Sequence, residues 1–475
     1  MTTIVLFQRD LRLTDNPAFH AACERGKILP VFIFRDNNDA WNMGAASQWW
    51  LHHSLLALDK HLHENNAQLF IYKNHDVVST LNTLSKAVNA DAVFWNRRYA
   101  PDEIIADTQL KKDLKKIGLK VKSFNGTLLN EPWTVLNKQE LPYRVFTPYW
   151  RECCHRSNIE DALPIPTSIA MPTNDITSDI LETLNLLPKN PDWSAGIQNR
   201  WIPGEKSAAK KWQSFLEDDI NHYEDARNIP SVSGTSYLSP HLAFGEISPR
   251  QIWHDVMSER ALQTNGNMDR YLSEIGWREF SYYQLYHFPH ILDSSFNIKF
   301  DHFPWIENAD ALNAWQRGLT GFPIVDAGMR ELWHTGYMHN RVRMIVASFL
   351  CKDLLINWQE GAKWFWDTLV DADIASNTAS WQWTAGCGAD AAPFFRIFNP
   401  ITQGEKFDNK GLYTRKWVPE LTSMPDKYLQ KPWEAPKEIL KAANVKLGED
   451  YPHPIVDHKV ARLDALDRFK TLKSI

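Results

Sequence analysis

Cysteine is scarce and unpatterned in this chain of 475 residues: its five copies (Cys23, Cys153, Cys154, Cys351, Cys387) include no C-x-x-C pair. That argues against a disulfide framework and against zinc, and it fits a reducing cytosol. Long apolar runs are missing too. No stretch approaches a membrane span, and the opening MTTIVLFQRDLRL reads as a strand followed by charges, not as a signal peptide. Nor does one sign of charge dominate: 52 Lys and Arg stand against 57 Asp and Glu, for a formal net charge of −5. Nucleic-acid binding would therefore have to rest on a local basic surface. No G-x-G-x-x-G follows the first strand, so the usual dinucleotide fingerprint is absent. Internal repeats and low-complexity tails are absent as well.

What the chain has is tryptophan. Ten of its 21 tryptophans fall between Trp277 and Trp417, and two of them flank a glutamine in Trp381-Gln382-Trp383. Indole is large, and its N–H needs a partner when buried, so such density is seldom mere core filling. Indoles stack on flat heterocycles and pass single electrons. The pattern predicts a redox-active aromatic cofactor, a base to stack on, or both.

Three parts are expected. Residues 1–132 alternate β-branched and aromatic runs (Ile4–Phe7, Ile28–Phe34, Gln68–Lys73, Asp91–Trp95, Leu119–Phe124) with helical stretches at Ala45–His63 and Ala106–Ile117. That is an α/β domain with a parallel, Rossmann-like sheet, and a ligand would sit at the carboxyl ends of its strands. Residues 133–205, rich in Pro, Asn, Thr and Ser, read as a long ordered connector. From Lys206 to Ile475 helical periodicity dominates, which predicts a large all-α domain. Ser248-Pro249-Arg250-Gln251 reads as a capping box with proline at the first helical position, and Ser239-Pro240 repeats its first half.

Chemistry concentrates in the helical part. In Met338-His339-Asn340-Arg341-Val342-Arg343-Met344, helical spacing sets an apolar stripe (Val342, Ile345, Val346, Phe349) opposite Asn340 and Met344, with Arg341 and Arg343 flanking them. An amide, a guanidinium fork and a soft thioether side by side suit a heterocycle edge and a phosphate, while a plain amphipathic helix fits the segment equally well. Glu274, Trp277 and Arg278 share a helix face. A carboxyl desolvated by an indole could donate a hydrogen bond, whereas a surface ion pair between Glu274 and Arg278 is the commoner outcome. The turn Gly234-Thr235-Ser236-Tyr237-Leu238-Ser239-Pro240 runs into a helix start that would suit a phosphate. Asp371-Ala372-Asp373 lacks a third ligand for a metal. Phe395-Arg396-Ile397-Phe398-Asn399-Pro400 with Gln403, Lys406, Lys410, Arg415 and Lys416 offers a local excess of positive charge.

These motifs resemble the photolyase/cryptochrome family, most closely its class I cyclobutane pyrimidine dimer photolyases. The resemblance rests on Glu274-x-x-Trp277-Arg278-Glu279-Phe280, Met338 to Met344, Asp371-x-Asp373 with Asn377, Trp381-Gln382-Trp383 and Arg396 to Pro400. Gln8-Arg9-Asp10-Leu11-Arg12-Leu13-x-Asp15-Asn16 matches the family's opening motif, so the likeness spans essentially the whole chain. It implies reduced FAD folded into a U in the helical domain. Tyr223, Thr235, Ser236, Tyr237, Leu238 and Ser239 would lie on the phosphate side, with Arg278 and Ala372 also against the cofactor. Arg343 and Asp371 would pair beside the isoalloxazine, Asp373 would touch its edge, and Asn377 would face flavin N5. A lesion pocket follows from Glu274, Trp277, Asn340, Arg341, Met344 and Trp383, with Arg227, Arg341 and Gln403 on DNA. Trp381, Trp358 and Trp305 match a relay of three indoles to the flavin.

The implied activity is light-driven repair of pyrimidine dimers in double- or single-stranded DNA. The dimer flips out, photoexcited reduced FAD donates an electron, the ring opens and the electron returns, while Glu274 hydrogen-bonds the dimer radical anion. A cytosolic monomer needing neither membrane nor protein partner is expected from the family. A signalling cryptochrome is the alternative; Trp383, where such relatives often carry tyrosine, and an end at Ile475 without a long tail weigh against it. A (6-4) photolyase would show histidines in place of Asn340 and Met344. For an antenna chromophore, Glu103 matches an acidic folate contact, but Leu292 and Asp293 replace the Cys-Lys pair of folate-binding relatives. Folate, a deazaflavin, a second flavin and an empty antenna site stay open.

Overall fold

Strand β1 (Thr2–Phe7) is buried along its whole length, as the centre of a parallel sheet requires when both faces are covered. It pairs in parallel with β2 (Lys27–Phe34) on one side and β4 (Ala92–Asn96) on the other, Ile4 standing level with Leu29 and Val93. With β3 (Phe70–Lys73) and β5 (Lys120–Phe124) the order is β3-β2-β1-β4-β5, all parallel. Ile4, Leu6, Leu29, Val31, Val93 and Trp95 form one buried cluster with Leu81 and Leu114. The structure is a computed structural model and describes residues 1–35, 41–156, 159–173, 175–262, 266–390 and 395–472.

The expected strands are all present, within two residues of their expected ends. The helix expected from Ala106 begins at Pro101, because proline suits the first turn and the Glu103 carboxylate accepts from Ala100 N–H at 3.4 Å. Two helices not singled out from the sequence, Pro17–Arg25 and Val77–Ala87, are capped by Asn16 and Asp76. The capping box at Ser248 is as read: Ser248 Oγ accepts from Gln251 N at 3.0 Å, and Gln251 Oε1 from Ser248 N at 2.9 Å. Ser239 is no cap. The helix there runs only from Ser239 to Ala243, and its N-cap is Leu238. Among the described residues no helix is long and apolar enough to cross a membrane.

The chain packs as two compact units. One comprises residues 1–221, 236–287 and 370–373, the other residues 222–235, 288–369 and 374–475. In the first, polar side chains pair beside the sheet's switch point between β1 and β4. Asn96 donates to Asp10 Oδ2 at 2.6 Å and to Asn16 Oδ1 at 2.7 Å. Beside them Arg12, fully buried, donates to the backbone carbonyls of Asp15 (2.7 Å), Gly126 (2.6 Å) and Gly245 (2.9 Å). Asp15 in turn takes Arg250 at 2.8 Å and the Ser248 hydroxyl. Gly245 stands at φ +65°, and a Cβ there would lie 2.2 Å from the Arg9 carbonyl oxygen. Residues 133–205 lie along this unit with short helices at Phe146–His155 and Ala195–Arg200, and a parallel bridge joins Lys27 to Ala170. On the helix Gly266–His287, buried Glu279 accepts from Leu129 N at 2.8 Å and Asn130 N at 3.1 Å.

The second unit is helical. Pro323–Thr335, Asn340–Ser348, Trp358–Thr368, Ile374–Ala385 and His458–Thr471 are its longer helices, and Asn340–Ser348 runs on into a π-helical turn, Phe349–Asp353. Val342, Ile345, Val346 and Phe349 are buried as one stripe, as the spacing predicted.

Gly245→Val should cost roughly 3 kcal/mol, through overpacking against backbone and a strained positive φ. A thermal midpoint equal to the parent's would show that the close approach is dispensable. Burial pushes the Glu279 carboxyl up to about 7 from its ordinary 4.5, against the opposing pull of Arg278. A raised carboxyl favours the fold while protonated, so its contribution is present in full below pH 4.5 and lost as pH rises through about 7. Thermal midpoints of the parent and Glu279→Gln should therefore diverge over that window, the variant lacking the parent's decline; parallel curves would remove the assignment.

Candidate functional site

In the first unit the candidate residues gather on three segments. At residues 236–239, Tyr237 holds φ +52°, a left-handed conformation costly for a side-chain-bearing residue and common at binding turns. The Arg200 guanidinium covers its ring at 4.8 Å. Ser236 Oγ accepts from the Tyr271 hydroxyl at 3.0 Å, and Leu238 is buried. Ser239 Oγ donates to Asp371 Oδ2 at 2.6 Å, which is why it does not cap its own helix. The Tyr282 hydroxyl donates to Asp373 Oδ2, and Ala372 is buried with its carbonyl 3.4 Å from Arg9 Nη1. Both carboxylates are thus oriented by hydroxyl donors.

The third segment is the helix carrying Glu274, Trp277 and Arg278. Glu274 pairs with Arg270 at 3.9 Å, one turn back. Its side chain is 28% exposed, so the expected desolvated carboxyl is only partly sheltered. Arg278 reaches further along the chain, donating to the Thr127 carbonyl at 3.0 Å and lying 5.1 Å over the Tyr282 ring. Trp277, half-buried, stacks on Phe146 with ring centroids 3.8 Å apart at 10°, and Phe146 stacks on Trp150. Glu103 is engaged with Arg98 at 3.7 Å as well as with its own helix start.

In the second unit Asn340 is exposed at the first turn of its helix. His339 caps that helix, its Nδ1 accepting from Arg341 N at 3.2 Å. Burial, then the charges of Arg343, Arg341 and Arg227, push this imidazole down to about 4, so it stands neutral. Arg341 donates to Asn228 Oδ1 at 2.7 Å, touches Met344 Sδ at 3.5 Å and covers Phe407 at 4.4 Å. Burial first, then the like charges of Arg227 and Arg396, lower its pKa. Arg343 donates to the Met338 carbonyl at 2.7 Å. Tyr223 is buried under Arg227 at 5.2 Å, and Gln403 is half-buried on the helix Pro400–Phe407.

The three indoles expected to form a relay share this unit. Ile306 N donates to Leu355 O at 2.7 Å, which ties the strand of chain bearing half-buried Trp305 to the segment leading into Trp358. Trp358 is buried and starts its helix behind the cap Asn357. One turn on, Gly361 has no room for a Cβ, which would fall 2.1 Å from Trp381 Cη2, so the Trp358 helix lies directly on the Trp381 ring. Trp383, two residues later, is half-buried.

Several buried polar atoms fit a flavin nucleotide. Thr235 Oγ1 and Trp381 Nε1 are buried with no hydrogen-bond partner among the described residues, an expensive condition that a bound polar group relieves. The Asn377 amide, buried, donates to Ala362 O at 3.0 Å. Sequence reasoning passed over two residues. Gln382, read only as part of a signature, is a buried pin whose amide donates to Ile291 O (2.7 Å) and Ser294 O (3.0 Å) and accepts from Phe296 N (2.7 Å). Phe146 gave no signal beyond being an aromatic in a proline-rich stretch.

Two family models match the chain: DNA photolyase over residues 3–169, and the FAD binding domain of DNA photolyase over residues 271–471. A deoxyribodipyrimidine photo-lyase from Agrobacterium fabrum is 48% identical over 99% of this chain and 98% of its own length. Cryptochrome-2 of Arabidopsis thaliana is 39% identical over 97% of this chain and 77% of its own length. The crystal structure of a bacterial class III photolyase from Agrobacterium tumefaciens superposes with a TM-score of 0.96 at 48% identity, covering 100% of this chain and 98% of that one. Likeness to a class III enzyme bears out the class I expectation only in part. With a full-length relative at this identity, the chain belongs to the photolyase/cryptochrome family.

Proposed function

We propose that this protein is a deoxyribodipyrimidine photo-lyase that repairs cyclobutane pyrimidine dimers in DNA under blue light. The observation that carries the reading is the 48% identity to a photo-lyase across 99% of the chain. When bound, reduced FAD supplies on illumination the single electron that opens the cyclobutane ring, and takes it back. Everything else falls to side chains. Tyr223, Thr235 to Ser239, Arg278, Arg343, Ala372 and Asn377 would hold the cofactor, with Asp371 and Asp373 oriented toward it by Ser239 and Tyr282. Glu274, Trp277, Asn340, Arg341, Met344 and Trp383 would receive the flipped dimer: Trp277 and Trp383 as flat apolar surfaces, Asn340 and Glu274 as hydrogen-bonding groups. Arg227, Arg341 and Gln403 would grip the DNA backbone, where a cluster of like charges finds the polyanion that offsets its repulsion. Trp305, Trp358 and Trp381 would carry an electron inward when the flavin is oxidised. Functionally the chain would divide into an antenna-type domain (1–132), a connector (133–205) and a cofactor- and DNA-binding domain (206–475), with the antenna site open to folate, a deazaflavin or a flavin, or left empty. We place the enzyme in the cytosol as a monomer.

Purified protein carrying FAD should split thymine dimers in a synthetic oligonucleotide under blue light with an action spectrum that follows its absorbance. Intact dimers would leave the signalling alternative standing. Glu274→Ala should lower repair per absorbed photon by about 2–10-fold, the worth of one hydrogen bond, with FAD content unchanged; equal yields would remove Glu274 from the reaction. In Trp381→Phe, photoreduction of oxidised FAD by an external thiol should slow sharply while repair by the chemically reduced enzyme persists. Unimpaired photoreduction would place the electron route elsewhere.

A further inference from the structure

Lys352 is a buried cation that the mechanism above does not use. It lies on the π-helical turn Phe349–Asp353 with 1% of its surface exposed, and among the described residues it makes no ion pair. The neighbouring carboxylate, Asp353, is engaged by His458 Nδ1 at 2.5 Å. Cys351 and Cys387 are the other titratable groups near it, and burial pushes the ammonium down to about 8. A charge so placed is costly, and an apolar side chain of similar shape would serve packing as well or better. Stability alone therefore does not account for it.

Both contacts of the ammonium point one way. Nζ donates to the Arg396 carbonyl at 2.9 Å, and it sits 3.9 Å from the centroid of the Phe395 ring, a close cation–π contact. Two consecutive residues of the segment 395–400 thus hang on one amine. A second tie, Phe398 N to Ser348 Oγ at 3.2 Å, comes from the same helix one turn earlier. On this segment Arg396 itself is exposed, its guanidinium 4.8 Å over Phe398 and near enough to Arg341 to perturb it.

We propose that Lys352 is a positioning residue for DNA binding, fixing the backbone of Phe395 and Arg396 so that the Arg396 guanidinium meets a phosphate alongside Arg341. This rests on the DNA-repair reading above, and it concerns binding in the dark, which needs no photochemistry. The test is a titration of the FAD-loaded full-length protein against a dimer-containing duplex, by fluorescence anisotropy in the dark over a series of salt concentrations. In Lys352→Met the Kd should rise about tenfold, and the slope of log K against log salt should become shallower by about 0.9, one phosphate contact. The thermal midpoint should stay level or rise, since the buried charge is gone. Arg396→Ala should lose the same slope, and the double variant should lose no more than either single one. If Lys352→Met does not fold, Phe395→Leu, which removes the ring from the ammonium, should give the same slope change. A folded variant with the parent's Kd and slope would overturn the proposal, as would additive losses in the double variant or a weaker Kd at unchanged slope. Failure of dimer splitting by the parent protein would instead strike the reaction assigned above and leave this measurement interpretable.

Discussion

Arg12 is the constraint on which the first unit depends. A guanidinium with almost no solvent must spend its donors on the protein, and it does so on carbonyls from three stretches far apart in sequence, Asp15, Gly126 and Gly245. Removing one partner of such a buried set leaves charges and carbonyls uncompensated, so the three stretches are fixed together or not at all. Asp15 extends the lock through Arg250 and Ser248 to the next helix. From the same motif Arg9 reaches Ala372, between the two aspartates that Ser239 and Tyr282 orient. The opening of the chain is therefore a support for residues some 360 positions downstream.

At the carboxyl ends of β1 and β4 polar side chains hold one another. The strand order does reverse at β1, as in other open α/β sheets. Yet Asp10, Asn16 and Asn96 satisfy one another across the switch point, and burial raises the Asp10 pKa. These hydrogen bonds tie the ends of β1 and β4 to the turn that follows β1.

Local features were legible and long-range ones were not. Strand positions followed from β-branched runs, and the Ser248 box from four consecutive residues, because both signals are complete within one element. The Ser239 hydroxyl was misread because its partner, Asp371, is 132 residues away. For Arg278, helical spacing offers Glu274, but tertiary packing offers a backbone carbonyl 151 residues earlier, where a rigid guanidinium is better satisfied. Of the candidate residues, the chain's motifs named nearly all, since they recur as strings of chemically distinctive side chains. Their supports, Gln382, Phe146 and Gly361, carry no chemistry of their own and became visible only through the atoms they touch.

The stack of Trp277 on Phe146, backed by Trp150, has a bearing on recognition. A ring clamped flat on one side has already surrendered its rotational freedom, so a docking base does not have to quiet it. In the lesion pocket proposed above, the opposite face would meet the incoming base. On the function proposed above, discrimination would then shift to the guest: a nucleotide that leaves its helix easily would settle against the indole, while a well-paired one would gain too little there to abandon its neighbours.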